Sequence, residues 1–161
     1  MKTLKLTLAL ITLFVFSFQV MAGKEEFKKN ISKTFDINKD ATLALKNKFG
    51  KIHCENWDKN TIGIEVEIIV VASSQEKANK YFDRIDININ GSRDKVSVTS
   101  DFDNKIFNSN DNDVSVNFMI HMPATVSIEV DHKFGDLILP DVKGSAMIEL
   151  GYGSLKANRL E

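Results

Sequence analysis

The chain is poor in the residues that carry most recognisable chemistry. It has 1 cysteine, 2 prolines, 1 tryptophan and 3 histidines among 161 residues. One cysteine excludes an intramolecular disulfide framework and a cysteine-rich zinc site. Basic and acidic residues nearly cancel, 21 against 22, so no global field draws in nucleic acid or anionic lipid. No H-x-x-x-H, H-E-x-x-H or C-x-x-C spacing occurs, which removes the usual metal motifs. There is no G-x-S-x-G nucleophile elbow and no Walker-type phosphate loop. The apolar run Leu6–Val20 has 15 residues, short of the ~20 that a membrane span needs. What remains is 43% hydrophobic, too apolar for a disordered chain and enough for one domain with a short appendage.

The first 22 residues read as a cleaved export signal. Lys2 and Lys5 precede the apolar run, and Val20-Met21-Ala22 supplies a peptidase site. Cleavage after Ala22 leaves 139 residues and removes two lysines. No cysteine stands at the cleavage site, which argues against a lipid anchor. The expected location is the periplasm, the cell surface or the medium. Cys54 is then a lone thiol in an exported chain. It reads as a small buried hydrophobe, with pairing between two chains left open.

In the mature chain, residues 23–32 are charged and read as a polar leader with frayed ends. The domain proper begins at Lys33 and runs to Glu161. Period-two alternation dominates it. Phe35 and Ile37, Leu43 and Leu45, Ile52 and Cys54, and then Ile62 to Val70 alternate with polar neighbours, the mark of strands with one buried face. One segment breaks this rhythm. Ser73 and Glu76 have capping-box spacing, and Ala78, Tyr81, Phe82 and Ile85 form one helical stripe, so a helix is predicted from Gln75 to about Ile85 with its aromatics on a sheet. Strands resume at 86–90 and 95–100 around an Asn90–Arg93 turn. Val114–Met122 is a further strand, ended by Pro123.

The chain also repeats itself. Leu43–Trp57 aligns without a gap on Ile128–Val142, matching Lys48-Phe49-Gly50 with Lys133-Phe134-Gly135, Ile52 with Leu137, Cys54 with Leu139 and Trp57 with Val142. A third copy lies 18 residues further on, with Tyr152-Gly153, Leu155, Ala157 and Leu160. The unit is strand, aromatic–glycine corner, strand. Glycine allows a sharp bend or a positive φ, and the aromatic can close the end of the apolar layer. Such units are too small to bury their own faces and must stack. The expected fold is mainly β: a right-handed β-solenoid-like stack of short strands with one helical insert, or alternatively a β-sandwich. Because the chain stops at Leu160-Glu161 directly after a unit, it reads as incomplete at its C-terminus, or else as covered there by another chain through self-association.

These residues resemble a known family. Leu43-x-Leu-x-Asn-Lys-Phe-Gly-Lys-Ile-x-Cys-x-x-Trp-Asp, then Met122-Pro123-Ala124-Thr125-Val126, then Lys133-Phe134-Gly135-Asp136-Leu137 are similar to a bacterial adhesin-like domain family of unknown function, related to the head GIN domain of exported proteins. The resemblance covers about Lys33–Glu161. It implies a right-handed β-solenoid on an exported protein, commonly with several more Gly-x-Leu/Ile rungs, and carries no agreed activity.

Candidate chemistry is sparse. His53 and Cys54 are adjacent, so on a strand they point to opposite faces and cannot share a metal. Asp101, Asp103, Asn104, Asp111, Asn112 and Asp113 make an oxygen-rich loop without EF-hand spacing. Gly151-x-Gly153 reads as a repeat corner rather than a phosphate cradle. Asn30-Ile31-Ser32 is a formal sequon. No catalytic, cofactor-binding or metal-binding residue is identified. The expected role is a non-catalytic exported domain for cell-envelope or cell-surface interaction, through the outward strand residues and the 101–113 loop, with an envelope protein or a surface glycan as partner. The alternatives are an envelope-stress or regulatory accessory protein acting on a membrane protein, and a carbohydrate-active enzyme on a β-solenoid.

Overall fold

The computed structural model describes residues 23–103 and 114–161. The expected export signal, residues 1–22, therefore lies outside the described residues, as does residue range 104–113 of the oxygen-rich loop. In chain order the elements are β1 (Glu25–Asp36), β2 (Thr42–Phe49), β3 (Ile52–Asn56), β4 (Thr61–Ala72), α1 (Gln75–Phe82), β5 (Ile85–Gly91), β6 (Lys95–Phe102), β7 (Val114–Met122), β8 (Ser127–Phe134), β9 (Leu137–Val142), β10 (Ala146–Tyr152) and β11 (Leu155–Leu160). They form two mixed sheets. Sheet A has the order β1-β4-β7-β3-β9-β11 and sheet B the order β10-β8-β2-β6-β5. The fold is mainly β, as expected.

The repeat read from the sequence is a spatial stack. β2, β8 and β10 pair in parallel in sheet B, with Leu43 opposite Ile128, Leu45 opposite Val130, and Phe134 between Phe49 and Tyr152. β3, β9 and β11 pair in parallel in sheet A, with Ile52 opposite Leu137 and Leu137 opposite Leu155. Each unit crosses from sheet B to sheet A at its aromatic–glycine corner. The rings of Phe49, Phe134 and Tyr152 stack with centroids 5.1 and 5.3 Å apart and planes within 9°. The glycines after them have φ of 118°, 135° and 149°. The rings do not close the apolar layer, however. Phe134 is 40% exposed and Tyr152 73%, so the stack lies along the outer edge of the corner.

A fourth unit was hidden in the sequence. β6 pairs in parallel with β2 and β7 with β3, which puts β6–β7 before β2–β3 in the stack. Phe102 takes the aromatic position, edge-on to Phe49 at 5.5 Å. This unit has no aromatic–glycine corner, since Asp103 follows Phe102, and so the repeat is not visible in the sequence. Beyond it, β4 and β5 pair antiparallel with β7 and β6.

Five expectations differ from the structure. The supposed frayed leader is the first part of β1, which pairs with β4 over its whole 12 residues. Its composition misled because Lys29 and Lys33 share a face with Phe27, Ile31 and Phe35. Lysines at such positions keep an edge strand from pairing further. The helix cap is Ser74, whose Oγ accepts from the Lys77 amide, while Ser73 Oγ accepts from Lys77 Nζ. The helix ends at Phe82, because Ile85 is taken by β5. The β5–β6 turn lies at residues 92–94, held by the Ser92 amide to the Lys95 carbonyl at 2.8 Å. Trp57 does not match Val142: Val142 is buried, whereas Trp57 lies on the outer face of sheet A.

The inward residues of both sheets make one core, from Leu43, Ile52 and Ile64 to Phe118, Ile128 and Leu137. A short polar ladder runs through it at the corners. Ser100 Oγ donates to Asn47 Oδ1 at 2.6 Å, and Asn47 Nδ2 donates to the Val116 carbonyl at 2.8 Å. Both ring nitrogens of buried His132 face carbonyls, those of Asn47 and Gly50, at 3.1 Å. A Cβ on Gly135 would collide with the Gly50 carbonyl and come 3.0 Å from His132 Nε2. Gly135→Val is therefore expected to cost at least about 3 kcal/mol or abolish folding. Gly23→Val, where nothing lies within 4 Å, should be neutral. Thermal unfolding followed by circular dichroism checks both, and an unchanged midpoint for Gly135→Val removes the corner from the account.

Candidate functional site

Alternation sends every second side chain of sheet A away from the core. Four adjacent strands, β1, β4, β7 and β3, thereby build an open groove of about 780 Å³ on the outer face. Asn30 and Ser32 come from β1, Glu65 and Glu67 from β4, Asn117 and Met119 from β7, and His53 and Lys51 from β3 and its corner. Register sets them side by side. Ser32 lies opposite Glu65 and Asn30 opposite Glu67. Glu65 lies opposite Met119 and Glu67 opposite Asn117. The backbone beneath is a continuous ladder, so the side chains are mounted on a rigid floor.

The polar groups of the groove are partly committed. Lys28 Nζ reaches Glu67 Oε1 at 3.1 Å, and Asn117 Oδ1 accepts the Lys51 amide at 2.9 Å. Beyond one end of the groove, Glu55 stands between two imidazoles, 3.6 Å from His53 Nε2 and 3.5 Å from His121 Nε2. Trp57 stacks on His121 at 5.3 Å, carries Lys59 Nζ over its ring at 4.7 Å, and donates from Nε1 to the Thr61 carbonyl at 2.7 Å. Gly63 makes room for it, since a Cβ there would come 2.7 Å from Trp57 Cη2.

The histidines separate as follows. His53 and His121 face outward on sheet A, while His132 is buried at the corner. His53 and Cys54 do point to opposite faces. Cys54 is buried, and burial pushes its thiol up to about 12, which leaves it neutral and out of reach of a second chain. Among the described residues no group of three or more His, Cys, Asp or Glu is arranged to hold a metal ion. Gly153 of the Gly151-x-Gly153 pair is a stack corner. Asn30 of the formal sequon lies on β1 at the rim of the groove. Residues 104–113 of the oxygen-rich loop lie outside the described residues. The groove itself was missed. Its only trace in the sequence is the polar set alternating with the apolar one, such as Glu65 and Glu67 between Ile64, Val66 and Ile68.

No family model matches the chain, and no curated protein does. Among solved structures, it is similar to a candidate cell adhesion protein from Clostridium sporogenes, with 14% identity over 79% of this chain and 59% of that one, at a TM-score of 0.47. It is similar also to candidate adhesins from Bacteroides fragilis (11% identity, 80% and 55% coverage, TM-score 0.35) and Parabacteroides merdae (14% identity, 81% and 52%, TM-score 0.29). The chain thus spans between half and two thirds of the length of these structures. No helix among the described residues is long and apolar enough to cross a membrane.

The corner beside the groove carries a titratable contact. Asp136 Oδ1 accepts from Ser154 Oγ at 2.7 Å and from the Ser154 amide at 3.1 Å. These bonds, and then the charges of Lys51 and Lys156, hold the Asp136 carboxyl below the usual aspartate range. A depressed folded-state value means that the unfolded chain binds the proton first as pH falls. Its contribution is present above the ordinary aspartate pKa of about 3.9 and is lost as pH falls through the lower folded value. Asp136→Asn should therefore flatten the acid limb of a stability–pH profile measured by urea unfolding, with the remaining slope set by other carboxylates. An acid limb identical to that of the parent protein would contradict this.

Proposed function

We propose that the protein is a non-catalytic, exported, adhesin-like domain that binds a component of the bacterial envelope or cell surface, and that the groove on sheet A is its ligand face. The observation that supports this is the groove itself: an open concavity lined by hydrogen-bonding side chains from four strands, mounted on a sheet whose other face is core. Binding residues set on a rigid scaffold lose little freedom when they engage a partner. The groove is a shelf rather than an enclosed pocket, a shape suited to a surface or an extended chain.

The same reading extends to the fold. We take the four parallel units as rungs of a right-handed β-solenoid, with the antiparallel strands β4 and β5 as its cap. The path from β8 through β9 to β10 is a parallel crossover, and such crossovers are right-handed in nearly all proteins. A solenoid of this kind offers one long flank per sheet, and sheet A places its groove on that flank.

The test is a binding assay of the full-length exported protein on isolated envelopes of the bacterium that makes it. Binding should saturate, and Glu65→Lys should weaken it by about fivefold. Thr99→Lys, on the outer face of sheet B, should leave it unchanged. No saturable binding, equal loss in both variants, or hydrolysis of an envelope glycan by the protein would each overturn the reading.

A further inference from the structure

We propose that the groove takes a zwitterionic peptide laid across the strands of sheet A, with its cationic end at β4 and its anionic end at β3. This rests on the groove being the ligand face and adds the ligand's chemical class. Two neighbouring rows of side chains cross the groove. In the first, Glu65 lies opposite Met119, and Met119 opposite His53. In the second, Glu67 lies opposite Asn117, whose Oδ1 is bonded to the Lys51 amide. Glu67 is already paired with Lys28, and His53 stands 3.6 Å from Glu55, so the acid left free on β4 is Glu65 and the cation at the β3 corner is Lys51.

The polarity is transverse to the strands, so a ligand meets an acidic column on β4 whose free member is Glu65 and a column on β3 whose cation is Lys51. Two strand spacings separate the columns by ~10 Å, about the reach of three extended residues. A polyanion would be repelled by the acidic column and a polycation by the basic one, whereas a chain with opposite charges at its two ends satisfies both. The uncharged column fits the middle of such a chain, because Asn117 offers an amide to a peptide unit and Met119 an adaptable apolar surface. Stability accounts for Glu67, which pairs with Lys28 at 3.1 Å, but not for Glu65. Glu65 and Glu67 are like charges two residues apart on one face, and Glu65 has no hydrogen bond or ion pair among the described residues.

The experiment is a titration of the isotope-labelled full-length exported protein, followed by amide resonances, with trialanine, N-acetyl-trialanine, trialanine amide and a neutral chitooligosaccharide. Trialanine should shift the amides of Glu65, Asn117 and Lys51. Blocking either end should weaken binding by about fivefold, as expected for the loss of one exposed charge pair. Glu65→Lys and Lys51→Glu should each weaken it similarly. The double variant should recover it to within about twofold, because exchanging the free acid of β4 with the cation at the β3 corner lets the ligand bind end for end. A merely structural role for these residues would not be rescued in this way. Equal binding of blocked and unblocked peptides, failure of the double reversal to recover, or shifts with the oligosaccharide but not with trialanine would overturn the proposal. If trialanine fails while envelope binding remains sensitive to Glu65→Lys, the ligand class falls and the ligand face stands. If no envelope binding is seen at all, it is the reading beneath that falls.

Discussion

The molecule depends on a missing methyl group. Parallel strands in register lie about 4.8 Å apart, and at each corner that spacing brings one backbone against the next. The Gly50 carbonyl occupies the place where Gly135 would carry a Cβ, and the Gly135 carbonyl does the same to Gly153. Gly50 in turn abuts the Val116 carbonyl. Every absent Cβ faces the preceding rung. The β6–β7 unit has no parallel rung before it, since β4 and β5 run antiparallel on that side. Its corner therefore needs no glycine, and Asp103 follows Phe102 there. The steric rule explains both the repeat and its exception.

Once the corners are fixed, the rest of the stack follows. The Gly50 amide donates to the Phe134 carbonyl at 3.1 Å and the Gly135 amide to the Tyr152 carbonyl at 2.9 Å, so the register cannot slip by a residue without losing these bonds. The aromatic before each glycine then has no choice but to lie on its counterpart, and a stacked pair contributes about 0.5–1.5 kcal/mol beyond area burial. Two residues earlier, the position is polar in three units and apolar in one: Ser100, Asn47, His132 and Leu150. Buried polar groups at this depth are costly unless bonded, and Ser100, Asn47 and His132 are bonded to one another or to corner carbonyls. The ladder ties the corners of separate units together where the apolar core cannot reach.

The legible part of this structure was the part governed by periodicity. Alternation located most strands, because burial on one face imposes a period of two on the sequence. The gap-free match of Leu43–Ile52 to Ile128–Leu137 gave the pairing register itself, residue for residue. Illegible parts were those in which a neighbouring element sets the structure. β1 is a strand because β4 presents 12 residues of ladder to it, although its own composition is that of a loop. The β6–β7 unit was hidden by the absence of the corner motif. Trp57 follows the repeat in spacing but not in place, because β3 and β9 pair only at Ile52 and His53 before they part.

The groove was beyond reach for a related reason. Outward positions on a strand answer to solubility and to function alike, so Glu65 and Glu67 read in isolation are a solvated face. They acquire meaning only when Asn117, about 50 residues later in the chain, is set opposite Glu67 and bonded to the amide of Lys51. That juxtaposition is made by one antiparallel ladder, β4–β7, and one parallel ladder, β7–β3. The stack has no need of it, since the core closes with any soluble residue at these positions. The geometry of this face is thus set by the inner residues, and its chemistry is free at the outer ones. The transverse order of acid, amide or thioether, and base is a property of the assembled sheet and of no segment within it.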